Sequence, residues 1–246
     1  MTRVLITNDD GIDSPGLHVL ARAARGLGLD VIIAAPAEQS SGSSAGILGA
    51  GPGGHIGRER RTVDGLENVP TWAVRAHPGL ISLIAAHGAF GDAPDLVLSG
   101  INHGANVGRA ILHSGTVGAA LTGGVNEARG IALSLDVGMA PTAFHWEAAA
   151  LHLERLIPLV LAEPVGTVLN LNVPNTPGPH TLVAADLAPF GIVQTTGAVF
   201  TDDDVQLTIA DPADEFDPGT DAAMLASGYA TLTSITGVGE RAVPPL

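Results

Sequence analysis

The stretch from Arg3 to Pro36 restricts the fold more than any other part of this chain. "RVLIT" is a short β-branched run that stops at Asn8-Asp9-Asp10-Gly11, and Ser14-Pro15 then supplies an N-cap residue followed by proline at the first helical position. Leu17, Leu20, Ala21 and Ala24 recur at helical spacing, Gly26 or Gly28 ends the helix, and "DVIIAAP" is a second buried strand. A strand, one helix and a second strand of this length imply parallel pairing through a right-handed crossover. The pattern repeats downstream. "PDLVLSG" (Pro94 to Gly100), "GIALSLD" (Gly130 to Asp136) and "TVLNLNVP" (Thr167 to Pro174) have the texture of buried strands. Helical patterns lie between them, one starting near Ser114 and one across "WEAAALHLERLIPLVLA". The fold class expected is α/β, a three-layer Rossmann-like core with a mostly parallel sheet.

After Pro174 the texture changes. Pro and Gly cluster from Asn175 to Pro179, and alternating segments follow in "GIVQTTGAVF", "VQLTIA" and "YATLTSI". They are expected as hairpins or an extended arm outside the main sheet. The division expected is therefore a Rossmann-like core over residues 1–174 and a β-rich C-terminal extension or arm over 175–246, packed on the core as one domain overall.

Composition excludes several function classes. A net charge of −14, with arginine supplying all 11 basic residues, argues against a nucleic-acid polymer as partner, because phosphate backbones are met by clustered cations. Aromatics at 3% leave few platforms for stacking a single strand. A small phosphorylated ligand stays possible, since a metal ion or a helix N-terminus supplies a local positive field. The absence of cysteine removes disulfides, thiolate catalysis and Cys-ligated zinc. With neither a signal-peptide pattern nor a long uninterrupted apolar stretch, the expectation is a cytoplasmic protein with no membrane partner.

One motif is a decoy. Gly49-Ala-Gly51-Pro-Gly53-Gly54 spells G-x-G-x-x-G, but it follows a Ser- and Gly-rich loop and leads into "HIGRERRTV" instead of opening a helix after a strand. It is loop. No nucleophile-elbow G-x-S-x-G exists either.

Asp9 and Asp10 carry more. They sit where the first strand ends, on the carboxyl edge where open α/β sheets bind ligands, although Asn-Asp-Asp-Gly is also good turn chemistry. The second strand runs out into Ser40-Ser41-Gly42, and the "PDLVLSG" strand into Ile101-Asn102-His103-Gly104. In a parallel sheet these ends share one edge. Two carboxylates, a hydroxyl and an amide oxygen form a donor set suited to Mg²⁺ or Mn²⁺, and His103 keeps zinc open. Ser114-Gly115-Thr116 then opens a small-residue helix, either a phosphate cradle or an ordinary serine N-cap. His103 and His113 fall inside the same stretch, where an imidazole can bind phosphate or hand a proton to a leaving group.

Together "ITNDDGIDSPG", "APAEQSSGSS", "LVLSGINHGANVG" and "HSGTVGAAL" resemble the SurE family, metal-dependent nucleoside-monophosphate phosphatases. The resemblance spans Arg3 to Asp136, with "LNLNVP" and "GTDAAMLASGYATLTSI" as looser matches further on. It implies one divalent ion per subunit, held by Asp9, Asp10, Ser41 and Asn102. It also implies a phosphate site near Asn106 and the Ser114-Gly115-Thr116 turn, and a homodimer or homotetramer built through the C-terminal extension. The chain departs from the family pattern at His113, where tyrosine is usual, at Thr122, at Arg109, and across Arg75 to Leu83. The expected function is hydrolysis of nucleoside 5′-monophosphates, with 3′-monophosphates open. Catalysis is assigned to Asp9 and Asp10. Two other readings stay open: an aspartyl-phosphate phosphatase, and a non-catalytic nucleotide-binding or assembly module on the same fold.

Overall fold

The computed structural model describes residues 1–49, 51–138, 140–189, 194–200, 205–210, 216–237 and 239. The first βαβ unit is β1 (Arg3–Thr7), α1 (Pro15–Gly26) and β2 (Asp30–Pro36). The strands pair in parallel, Val4 beside Val31 and Ile6 beside Ile33. Ser14 occupies the N-cap of α1 without a side-chain cap bond, so Pro15 alone supplies the expected start signal. Next come β3 (Arg58–Arg60), β4 (Thr71–Val74), α2 (Pro78–Ala86), β5 (Leu96–His103), α3 (Gly115–Val125) and β6 (Arg129–Asp136). The chain continues through α4 (Trp146–Ala150), α5 (Leu153–Ala162), β7 (Val168–Pro174), β8 (Leu182–Ala184), β9 (Gln194–Phe200), β10 (Val205–Ala210), α6 (Asp221–Ala226) and β11 (Ala230–Ile235).

Among the described residues the main sheet has the order β3-β4-β2-β1-β5-β6-β7-β11-β8. The six strands from β4 to β7 run parallel, β3 antiparallel to β4, β11 antiparallel to β7, and β8 parallel to β11. Alternation along β1 shows why both faces are covered. Val4 and Ile6 pack with Leu17 and Leu20 of α1 and with Leu156 of α5, whereas Leu5 packs with Ile81 of α2. The order of connection reverses between β1 and β5, and that switch point places their carboxyl ends beside each other.

Two expectations are corrected. "YATLTSI" is not an arm outside the sheet: β11 pairs with β7, and β8 pairs with β11. The reason is burial. Six of the seven residues of β7 are buried, which suits an interior strand, and an antiparallel partner from the C-terminal segment makes it one. The helix expected across Trp146 to Ala162 is two, α4 and α5, separated by a turn at Leu151–His152. The short strand β4 and the almost uniformly apolar α2 had no periodic signal to announce them. Of the expected hairpin, β9 and β10 do pair antiparallel as a separate two-stranded sheet. Gly191–Val193 of its first segment lie outside the described residues. The G-x-G-x-x-G spelling precedes the edge strand β3, and its Ala50 also lies outside the described residues. No described helix is long and apolar enough to cross a membrane.

Candidate metal and phosphate site

The turn after β1 is closed by Asn8, not by the acids. Asn8 Nδ2 donates to the Gly11 carbonyl (3.1 Å), and Gly11 N–H donates to Asn8 Oδ1 (3.2 Å). Gly11 makes this possible with φ of +99°. Both carboxylates are thereby released from turn duty. Ser40 N–H donates to the Asp9 carbonyl (2.7 Å), which ties the serine loop after β2 to the acidic turn. Ser44 Oγ in turn donates to the Leu112 carbonyl (2.6 Å), joining that loop to the 3₁₀ turn Gly108–His113.

Asp9 is only 5% exposed. Thr116 Oγ1, fully buried, donates to Asp9 Oδ1 and lies 3.2 Å from Asn102 Oδ1. One hydroxyl proton therefore faces two acceptor oxygens. Asn102 is oriented for this because its Nδ2 donates to the Gly104 carbonyl (2.8 Å). Burial pushes the Asp9 carboxyl above the ordinary carboxylate range; the Thr116 hydroxyl opposes the shift and the Asp10 charge adds to it. Asp10 is also raised by burial, offset by the His103 N–H that donates to its Oδ2 (3.1 Å).

Such a cluster is rich in acceptors and short of donors, which is the condition a hard cation relieves. Among the described residues no three His, Cys, Asp or Glu side chains group to hold a metal. A cation here must therefore draw on hydroxyl and amide oxygens besides the two acids. Asp9, Asp10, Ser41 and Asn102 meet that requirement: all four line one cavity of about 580 Å³ at the β1–β5 switch point.

His103, Asn106, His113 and Ser114 line the same cavity. Ser114 Oγ also accepts the Val117 N–H (3.1 Å), so it is a working N-cap as well. Gly115 and Thr116 do not line the cavity; they lie behind it, against Asp9. A Cβ on Gly115 would come 2.8 Å from Asp9 Oδ2 and 2.9 Å from Asp9 Cβ, so only glycine lets α3 approach this closely. The N-terminus of α3 is thus packed against Asp9, and of the three residues Ser114 alone faces the cavity.

Several supporting residues had escaped the sequence analysis. Asn170 and Asn172 both donate to the Asn106 carbonyl (2.8 Å each), and Asn106 N–H donates to Asn172 Oδ1 (2.7 Å). Asn106 Nδ2 donates to Ser134 Oγ (2.8 Å). Fully buried Asp221 accepts from Gly108 N–H (2.7 Å), Ala188 N–H (2.9 Å) and Ala222 N–H (2.8 Å). The available signal was two asparagines in alternation within the apolar run "LNLNVP", a polar pair on one face of a buried strand.

Fold and site together define a Rossmann-like α/β protein with an oxygen-lined acidic centre at its topological switch point. The family model described as Survival protein SurE matches residues 4–192, and the chain belongs to the SurE family. Among its relatives, 5′-nucleotidase SurE of Xanthomonas campestris pv. campestris is 32% identical over 246 residues, covering 95% of this chain and 89% of the relative. The 5′-nucleotidase SurE of Vibrio cholerae is 34% identical over 242 residues, covering 95% and 90%. The crystal structure of the SurE protein from Aquifex aeolicus matches with a TM-score of 0.76 at 25% identity, over 95% of this chain and 93% of that one.

Proposed function

We propose that this chain is a divalent-cation-dependent phosphomonoesterase that releases phosphate from nucleoside 5′-monophosphates, with 3′-monophosphates as further substrates. The curated relatives carry the name 5′-nucleotidase, and the chain is a hydrolase of that type. The observation that carries the finer reading is the acceptor-rich cluster: Asp9 Oδ1 and Asn102 Oδ1 share one Thr116 hydroxyl.

Asp9, Asp10, Ser41 and Asn102 would hold the cation. When bound, it supplies Lewis-acid stabilisation of charge developing on the phosphoryl oxygens. Asp9, nearly sealed, serves as a fixed anchor whose position Thr116 and Gly115 set. Asp10 is less buried and is the carboxylate proposed to take the proton of the attacking water. The cavity-facing residues Asn106 and Ser114 orient the phosphate, Asn106 from a backbone pinned by Asn170 and Asn172. His113, exposed at the cavity rim, is the proposed proton donor to the leaving oxygen.

The test is phosphate release from a panel of nucleoside monophosphates with Mg²⁺, with Mn²⁺ and with chelator. Hydrolysis that needs the ion and is lost in Asp9→Ala is the expected result. Metal-replete protein that releases no phosphate from any monophosphate leaves the non-catalytic reading in its place. Equal hydrolysis in chelator overturns the metal mechanism.

The proposal extends to a cytoplasmic setting and to self-association. Leu112 and Val125 are 69% and 59% exposed and line one apolar hollow with Leu121 and Leu187, a surface of the kind subunit contacts cover. Light scattering of the full chain is expected to give a dimer or tetramer mass, and Leu112→Asp is expected to lower it.

A further inference from the structure

One ring, that of His103, faces the cavity beside the acidic floor, and two further rings outside the cavity lining pack near it. His103 lines the cavity, and its imidazole centroid lies 5.2 Å from that of Phe144 and 6.4 Å from that of Trp146. Phe144 and Trp146 stack 5.4 Å apart with their planes 13° from parallel. In a chain with 3% aromatics and two tryptophans, this concentration beside one cavity calls for a use. Trp146 is buried, but Phe144 is 42% exposed, so the apolar face of the stack is left to solvent at its outer end. The segment is held in place: His145 N–H donates to Asn175 Oδ1 (2.8 Å), and Asn175 Nδ2 donates to the Ala143 carbonyl (2.8 Å). The inner end is fixed too, because the His103 N–H is bonded to Asp10. The His103 imidazole, tilted 51° to the Phe144 ring that packs against it, is therefore presented at a set position next to the acidic centre.

We infer that the His103 imidazole, positioned by Phe144, is the ring on which the nucleobase of the substrate stacks. The inference rests on the nucleotidase reading for its ligand and goes beyond it by assigning the residues that recognise the leaving group. A phosphate alone does not need about 580 Å³, whereas a cavity of this size is in the range that takes a whole nucleotide. Phosphate binds at the oxygen-lined end, the ribose spans the cavity, and the base lies on the imidazole. Stacking of this kind is tolerant of base identity, because every base has a π-face. Phe144 acts through His103, as a positioning residue that holds the imidazole.

The test compares AMP with ribose 5-phosphate, which keeps the phosphate and sugar and lacks the base. The ratio of kcat/KM for the two is measured in the metal-loaded wild type, Phe144→Ala, Phe144→Tyr and His103→Ala. Phe144→Ala and His103→Ala are each expected to lower the ratio by about tenfold, within the range of one lost base–ring stack. The change is expected in KM, and Phe144→Tyr is expected to keep the wild-type ratio. An unaltered ratio in both alanine variants, or equal losses for both substrates, overturns the platform. Calorimetric titration of AMP and of ribose 5-phosphate into the same proteins separates the two levels of the argument. If the wild type releases no phosphate, the nucleotidase reading falls, and the platform stands only if the alanine variants lose AMP affinity selectively.

Discussion

Two carboxylates are buried close to the cavity, and they are treated in opposite ways. Asp221 is fully buried and accepts three backbone N–H groups, from Gly108, Ala188 and Ala222. Asp9 is almost as buried, yet its neighbours include the acceptor oxygen of Asn102 and the like charge of Asp10. The first charge is satisfied by the protein and fastens the loop that begins the 3₁₀ turn. The second has a single hydroxyl donor, that of Thr116, which it shares with Asn102, so its charge is buried with less compensation. Burial alone therefore says little about the role of an acid. What distinguishes a structural carboxylate from a functional one here is whether donors or acceptors surround it.

The sharpest way to break the comparison is to neutralise each acid in turn. Asp9→Asn is expected to cost about a thousandfold in kcat/KM, equivalent to roughly 4 kcal/mol of transition-state stabilisation. The same variant is expected to melt higher than wild type in chelator, because the desolvated charge is gone. Asp221→Ala should do the reverse in thermal melts, losing about 3 kcal/mol of stability by orphaning buried N–H groups. If Asp9→Asn melts lower than wild type without metal, the two acids do not differ as described.

A smaller effect is expected at Thr116→Val, which keeps the volume and removes the shared hydroxyl. Metal affinity measured by titration should fall by about 10-fold, the low end for a residue that orients a ligand.

The pH dependence gives the next increment, with a definite sign. Burial raises the Asp9 and Asp10 carboxyls in the fold, so their contribution to metal-free stability is present below the ordinary carboxylate range. It is lost as pH rises through the raised values. The stability advantage of Asp9→Asn over wild type in chelator should accordingly grow as pH is raised from about 4 toward 7. Denaturant midpoints across that range read it directly, and an advantage that shrinks would contradict the assignment.

The smallest effect expected is at His152, far from this acid logic. Burial, then His180 and Arg155, lowers its imidazole below the ordinary value. Its stabilising contribution is present above about pH 6.5 and declines as pH falls, because the unfolded chain takes up the proton first. A His152→Gln variant should show a flatter stability profile between about pH 5 and 7 than wild type does.

The parts of the fold that were legible in the sequence share a local cause. β1 and β2 match "RVLIT" and "DVIIAAP" because strands buried on both faces are continuous apolar runs. The start of α1 followed from Pro15, and α3 begins one residue after Ser114. The convergence of Asp9, Asp10, Ser41 and Asn102 on one cavity was readable because each lies at or just beyond a strand end, and strand ends of a parallel sheet share an edge. The residues that brace the cavity wall were not readable. Asn170 and Asn172 bond a residue more than sixty positions away, and Asp221 bonds one more than a hundred away. Nothing in local periodicity encodes such partners.

Order along the chain was enough to establish a parallel α/β sheet, an acidic carboxyl edge and the identity of the oxygens that converge there, because periodicity and turn chemistry act over a few residues. Packing alone decided the rest. It brought β11 into the main sheet to cover β7, set Asp9 against the N-terminus of α3, and left Phe144 exposed beside His103. Each of these depends on which distant groups are available to exclude water, donate a proton or meet a ring face. That availability exists only once the layers have closed.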